Sequence, residues 1–364
     1  MLFSLCIIET LRVLTIIAVV REIFVLKEAM FYEKLADNLV NCELCSHRCR
    51  KIADGKRGIC GVRENRKGTL YSLVYGKVVA QSVDPIEKKP LFQFLPGSLS
   101  YSIATVGCNF NCGNCQNFDI SQLPKMRNVI VGQETSPEEI VSAAKRNNCK
   151  SISYTYSEPT IFFEYAYDVA KLAKREGLKN VFVTNGYITG EPLRMIAPYL
   201  DAANIDLKGF REEFYRHNCG VHLQPVLDSI KLYKQLGIWV ELTTLIIPTL
   251  NDSEWELKQI AEFIKNEVGE DTPWHITRFH PMYKLPDLPP TPIATLRKAR
   301  QIGLDAGLRY VYEGNVPGED GENTYCHKCK QPIIKRYGYS IQENKIKNSK
   351  CEYCGTKVDG VYDN

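Results

Sequence analysis

The chain has 364 residues, 44% of them hydrophobic, with 46 basic and 42 acidic residues and a formal charge of +4. That length and apolar content suffice for two or three domains around a substantial core. The near balance of charge gives no argument for a polyanion-binding surface, so neither nucleic acid nor an anionic membrane is an expected partner.

Fourteen cysteines would suit a disulfide framework, but ten of them fall into three local clusters with metal-ligand spacing, and an eleventh, Cys60, follows the first of these. Such usage points to a reducing, cytoplasmic location. Cys6, Cys149 and Cys219 stand alone and read as small buried apolar residues.

Residues 1–40 read as an N-terminal helical extension. Its apolar run, Val13 to Val20 between Arg12 and Arg21, is shorter than the roughly 20 residues a membrane span requires. No small-residue cleavage site follows, which disfavours a signal peptide, and Met30 offers a plausible start of translation.

Residues 41–100 read as a cysteine-rich knuckle with a β lead-in. Cys42, Cys45 and Cys49 follow a Cys-x2-Cys-x3-Cys spacing, and Cys60 comes after Gly55 and Gly58, which supply turns. Four ligands suggest a closed site for zinc or for an auxiliary iron–sulfur cluster, and His47 is an alternative ligand.

Residues 101–320 alternate β-branched apolar runs with helical patterns, the signature of parallel βα units. The strand candidates are 102–106, 151–156, 180–184, 203–207, 239–247, 274–279 and 309–312. Ser136, Pro137 and Glu139 mark one helix start with a cap, a first-turn proline and a capping-box glutamate. The fold class is α/β, a complete or partial TIM-like βα barrel whose strand number, six or eight, the pattern alone leaves open. Its reactive groups should collect past the carboxyl ends of strands, where Cys108, Glu158, Asn185, Asp206, Lys208, His280 and Asn315 stand. His275, at the start of its strand, belongs to the opposite, structural end.

Residues 321–364 carry Cys326-x2-Cys329 and Cys351-x2-Cys354, two pairs separated by 21 residues. Four thiolates in paired knuckles predict a structural zinc ribbon, with a single iron as the lesser option. Lys345 to Lys350 reads as a solvated loop.

The central motif is Cys108-x3-Cys112-x2-Cys115, directly after a strand, with Gly107, Asn109, Asn111, Gly113 and Asn114 around it. Three thiolates hold three irons of a cubane, and a missing fourth cysteine leaves one iron open to an external ligand. Small and turn-forming neighbours let backbone amides approach the cluster.

This spacing, with Phe110 before the second cysteine, resembles the radical S-adenosylmethionine (SAM) superfamily. The stretches Leu70 to Gly76, Tyr154 to Thr160, His275 to Pro281 and Tyr310 to Asn315 resemble the AmmeMemoRadiSam group. Those proteins are similar to pyruvate formate-lyase activating enzymes. The likeness runs from about Lys27 onward, and resemblance to radical SAM cores favours a partial (βα)6 TIM-like barrel with an extra edge strand. It implies a [4Fe-4S] cluster on Cys108, Cys112 and Cys115 whose open iron takes the amino and carboxylate groups of SAM.

By the same resemblance, Ser157 and Glu158 stand at the element that meets the SAM ammonium, with Tyr156 and Ser157 replacing its two glycines. Thr184 and Asn185 match the Thr-Asn-Gly whose asparagine suits the ribose. Asp206 and Lys208, two apart on one strand face, match a pair that reaches the methionyl group or substrate backbone, a buried salt bridge being the alternative. His280 matches a histidine beside the ribose. Leu245 to Thr249 is placed against the adenine or in the apolar core. Val183 replaces an aspartate used for a monovalent cation, so that cation site is not carried over.

The expected function is SAM cleavage to a 5'-deoxyadenosyl radical that abstracts hydrogen from a protein or peptide. The resemblance implies Memo-like or AMME-like proteins as partners and ferredoxin or flavodoxin as electron donor. The alternatives are a radical enzyme acting on a small molecule with an auxiliary cluster, and a zinc-ribbon binding protein with a structural cubane.

Overall fold

The structure, a computed structural model, describes residues 26–363. The apolar run Val13 to Val20 and Cys6 lie outside the described residues.

The centre is one sheet of eight strands: β1 (Ala80–Pro85), β2 (Leu99–Ala104), β3 (Ser151–Tyr154), β4 (Lys179–Thr184), β5 (Ala202–Asp206), β6 (Trp239–Ile246), β7 (Trp274–Arg278) and β8 (Val311–Gly314). They lie side by side in chain order, and β1 and β8 are the two unjoined edges. Strands β2 to β8 are mutually parallel, whereas β1 pairs antiparallel with β2. Parallel strands covered on both faces should read as unbroken apolar runs. Ile152, Tyr154, Val181, Phe182, Ala203, Ile205, Leu242, Trp274 and Ile276 are accordingly buried.

Six helices connect the parallel strands: α1 (Pro137–Arg146), α2 (Phe163–Arg175), α3 (Gly190–Ile196), α4 (Gln224–Gln235), α5 (Glu254–Phe263) and α6 (Ile293–Asp305). The capping box at α1 forms as its sequence predicts, Ser136 taking the Glu139 amide and Glu139 taking the Ser136 amide. In α2, Phe163, Ala166, Val169, Ala170 and Ala173 repeat at helical spacing and are buried. Each fully buried Phe or Val of that face contributes about 1.5–3 kcal/mol.

Each of the seven strand candidates overlaps an observed parallel strand, with ends shifted by at most three residues. The antiparallel edge strand β1 precedes residue 101, so the sheet draws its first two strands from the stretch read as a lead-in. The helical extension is corrected over its described part. Lys27–Glu28 pairs with Tyr71 and Ser72, and Tyr32–Lys34 pairs with Val40–Cys42. Buried Glu164 of α2 draws this segment in, accepting from the Met30 amide and from Arg63 at 2.7 Å each.

The segment after β1 closes the amino end of the sheet. Glu241, at the start of β6, accepts from the Phe92 amide (3.0 Å), the Gln93 amide (2.8 Å) and lies 2.7 Å from His275 Nε2. His275 is thus a buried partner at the structural end. Arg336 of the C-terminal module donates to the Phe92 carbonyl at 2.7 Å, docking that module on the same segment. Lys345 to Lys350 is not a plain loop, because Ile346–Lys347 and Lys350–Cys351 pair as a tight hairpin.

Candidate active site and metal centres

Cys108, Cys112 and Cys115 line one cavity of about 510 Å³ at the carboxyl end of the sheet. The loop carrying them is held from several sides. Gln122 Nε2 (3.1 Å) and Lys125 Nζ (2.7 Å) donate to the Phe110 carbonyl. The Asn111 amide donates to the Cys219 carbonyl, and the Gly113 amide to that of Asn218, both at 2.9 Å. Phe110 is buried edge-on against Tyr187, with ring centres 5.3 Å apart.

One backbone amide and one hydroxyl already address the sulfurs. The Phe110 amide lies 3.3 Å from Cys108 Sγ, and Ser121 Oγ lies 3.2 Å from Cys115 Sγ. Burial pushes the thiols of Cys108 and Cys115 up, and the adjacent Cys219 thiol together with burial does so strongly for Cys112. Cys219 is fully buried behind Cys112 and is not part of the cavity wall. Cys149 is buried as well.

Ser157, Glu158, Thr184, Asn185, Asp206 and Lys208 all line the same cavity. Glu158 Oε1 accepts from Thr160 N (3.0 Å), Thr160 Oγ1 (2.6 Å) and Thr184 Oγ1 (2.7 Å), while Oε2 accepts from Asn185 N (2.8 Å). The carboxylate therefore welds the ends of β3 and β4 together, and its remaining acceptor capacity is on Oε2. Burial raises its pKa against the pull of those donors. Ser157 Oγ is buried with no hydrogen-bond partner, as is Asn109 Nδ2 beside Cys108. Buried polar atoms on a cavity wall that lack partners fit a polar ligand that supplies them.

Asn185 Nδ2 donates to Asn109 Oδ1 at 2.7 Å and lies 3.8 Å from Cys108 Sγ. Asp206 and Lys208 form an ion pair of 2.7 Å that remains partly open to the cavity. Burial works against the Lys208 charge, but Asp206 and the nearby thiols outweigh it and hold its pKa up.

His280 does not join this site. Strand β7 ends at Arg278, Phe279 turns inward with its amide on Thr291 Oγ1 (2.9 Å), and His280 is exposed. Thr277 lines the cavity in its place, and Leu245 and Asn315 complete that side. Sequence reasoning missed Lys88, Lys89 and Tyr339, which also line it, as does Tyr156. Lys89 Nζ is buried 2.7 Å from Asp84 and 4.5 Å over the Tyr156 ring. Tyr156 occupies the left-handed region at φ 60°, a conformation that no sequence pattern announces.

The C-terminal quartet differs in scale. Cys326, Cys329, Cys351 and Cys354 bring their sulfurs within 4.8 Å of one another, the one group of metal-ligating side chains so close among the described residues. Cys326 and Cys354 are 3.7 Å apart, and Cys329 and Cys351 are 3.8 Å apart. Four sulfurs about 2.3 Å from a single tetrahedral ion stand about 3.8 Å apart, so this group fits one metal ion.

Residues 102–264 match the Radical SAM superfamily profile. An uncharacterized protein of Methanocaldococcus jannaschii is 50% identical over 92% of this chain and 100% of its own length. The pyruvate formate-lyase-activating enzyme of Clostridium pasteurianum is 26% identical over 57% of this chain and 89% of its own. The chain belongs to the radical SAM superfamily. Membership implies a [4Fe-4S] cluster and SAM, and the observed wall fits both: three thiols spaced too widely for one ion, unpartnered Ser157, and the charged pair Asp206 and Lys208. The 4-hydroxyphenylacetate decarboxylase activating enzyme of Clostridium scatologenes is 26% identical over 46% of this chain and 56% of its own length. No helix among the described residues is long and apolar enough to cross a membrane.

Proposed function

We propose that this chain is a radical SAM enzyme of the activating-enzyme type, which cleaves SAM to methionine and a 5'-deoxyadenosyl radical and takes hydrogen from a protein or peptide. The observation that carries the reading is the wall of one cavity, where three thiols face an acid–base pair, Asp206 and Lys208, and a free hydroxyl, Ser157. When bound on Cys108, Cys112 and Cys115, the cluster supplies the electron for sulfonium cleavage.

The protein's own residues then bind and orient. Asp206 and Lys208 present opposite charges to the zwitterionic end of SAM, and Ser157 offers an unused hydroxyl. Glu158 keeps acceptor capacity for an ammonium on Oε2 while fixing Thr184 and Asn185. Thr243, Leu245 and Thr277 close the cavity on the β6 and β7 side. Groups from the ends of all seven parallel strands meet at one cavity, which supports reading the open sheet as curled into a partial barrel around it.

Activating-enzyme relatives support a protein or peptide substrate. Memo-like or AMME-like proteins are the proposed partners, a ferredoxin or flavodoxin the proposed donor, and the cytoplasm the proposed location. The single-ion geometry of Cys326, Cys329, Cys351 and Cys354 supports zinc in a C-terminal ribbon.

The test is 5'-deoxyadenosine formation by anaerobically reconstituted protein with SAM and dithionite, native against Cys108→Ala/Cys112→Ala/Cys115→Ala. Product from the native chain that is lost in the variant supports the reading. A fully loaded native protein that forms none overturns it.

A further inference from the structure

Cys42, Cys45, Cys49 and Cys60 line one enclosed cavity, otherwise walled mainly by Leu44, Ile59 and Ile161. Local structure brings them there. The Cys42 amide donates to the Cys49 carbonyl at 2.9 Å, folding the first three into one loop, and the Gly61 amide donates to Gly58 at 2.9 Å, turning Cys60 inward. A Cβ on Gly58 would lie 3.5 Å from Cys49 Sγ, so the turn packs directly on that thiol. The Ile59 amide already points at Cys49 Sγ, 3.4 Å away.

The same cavity has one strong cation on its wall, Arg63. Its Nη2 holds Glu164 at 2.7 Å, but buried Nε and Nη1 have no partner. Idle donors on a buried guanidinium beside four thiols call for an anion in the space between them. A metal–thiolate centre is such an anion.

Sulfur spacing separates the two candidate metals. The C-terminal quartet gathers its sulfurs to single-ion distances, whereas among the described residues no three of the N-terminal ligand atoms are that close. The same holds for Cys108, Cys112 and Cys115. A cluster places each thiolate on its own iron, so its ligands stand farther apart than four on one ion.

The N-terminal cavity also abuts the Cys108 loop. His47 Nε2 is 2.8 Å from the Asn109 carbonyl oxygen. A Cβ on Gly107 would lie 2.5 Å from Val62 Cγ1 and 3.4 Å from the Cys60 carbonyl oxygen, so only glycine allows this approach.

We propose that Cys42, Cys45, Cys49 and Cys60 hold an iron–sulfur cluster, with Arg63 donating to its sulfurs, and that this cluster passes electrons to the Cys108, Cys112 and Cys115 site. The electron-passing role rests on the proposed function, whereas the site itself does not. A low-potential one-electron donor, a reduced flavin or iron–sulfur protein, reduces the N-terminal cluster. That cluster is reoxidised as the electron moves on, and so returns to its starting state.

The test counts iron, acid-labile sulfide and zinc in the reconstituted full chain, in Cys42→Ser/Cys45→Ser and in Cys108→Ala/Cys112→Ala/Cys115→Ala. Each variant is expected to lose about half of the native iron and sulfide, with zinc unchanged. A Cys42→Ser/Cys45→Ser protein that keeps all the native iron, or that loses zinc instead, overturns the proposal. Should that variant not fold, Arg63→Lys keeps the thiols and the charge but removes the guanidinium fork. One of the two clusters is then expected to shift to lower potential, and two unmoved potentials overturn the role of Arg63. With a reduced flavodoxin as donor, the Cys108-site cluster of Cys42→Ser/Cys45→Ser should reduce more slowly than in the native chain, and equal rates overturn the relay. Two loaded clusters without 5'-deoxyadenosine would sink the proposed function and leave the N-terminal site standing.

Discussion

Asn185 donates to Asn109 at 2.7 Å, across 76 residues of sequence, and so ties the end of strand β4 to the residue that follows Cys108. The loop that carries Cys108 is thereby fixed to a rigid strand end, as an outer partner would fix a metal ligand.

Asn185→Ala should loosen that tie without touching a thiol. Loss of an outer partner of a metal ligand typically costs about 10- to 100-fold in affinity or activity, and that is the expected fall in 5'-deoxyadenosine rate, with reduced iron retention during gel filtration. Unchanged iron and rate would show that the loop holds itself.

Glu158→Gln replaces an acceptor-only group by an amide whose NH2 must face at least one of the donors Thr160, Thr184 and Asn185. The expected loss of stability is about 1–3 kcal/mol by denaturant unfolding. A variant as stable as the native chain would mean that these bonds do not persist in solution.

Lys208→Met leaves Asp206 without its partner and removes a cation from the cavity. Equilibrium binding of SAM should weaken by about 10- to 100-fold, the range of one charge-assisted hydrogen bond. His280→Ala is the contrast: the side chain is exposed and off the cavity, so SAM binding and 5'-deoxyadenosine rate should stay at native values. An effect of His280→Ala as large as that of Lys208→Met would contradict the position of His280.

The C-terminal quartet should show a pH signature once its metal is removed. The Thr356 hydroxyl, 3.3 Å from Cys354 Sγ, and the Thr356 amide bring that exposed thiol down to about 6 from its usual 9.0. A lowered thiol pKa means thiolate above that value, so metal-free Cys354 should alkylate with a half-maximal rate near pH 6. The rate should fall as the solution is acidified further. Peptide mapping after iodoacetamide pulses at stepped pH reads this, and a midpoint near 9 would remove the basis for it.

Gly107→Ala should destabilise the fold and the loop together. Gly107 sits at φ 105°, and the added methyl would lie 2.5 Å from Val62. Overpacking of this kind costs about 1–3 kcal/mol, and a lower denaturation midpoint with poor iron loading is the expected result. Native-like loading and midpoint would show that Val62 yields easily.

Much of this was legible in short windows of sequence. The Cys108, Cys112 and Cys115 spacing, the capping box at Ser136 and the alternation of strand and helix patterns each depend on residues a few positions apart, where local geometry dictates the outcome. The two-residue step from Asp206 to Lys208 placed both on one face for the same reason.

Tertiary structure decided what depends on distant segments meeting. It turned Phe279 inward and left His280 outside, because Thr291, twelve residues on, captures the Phe279 amide. It drew Lys88, Lys89 and Tyr339 to the cavity from beyond the parallel strands, and made Glu158 the clasp between β3 and β4. It also set the C-terminal quartet apart, whose sulfurs alone among the described cysteine groups gather to within 4.8 Å of one another. Periodicity and motif spacing act along the chain, whereas burial and the pairing of polar groups are settled by the packing of residues tens to hundreds of positions apart, which no local pattern encodes.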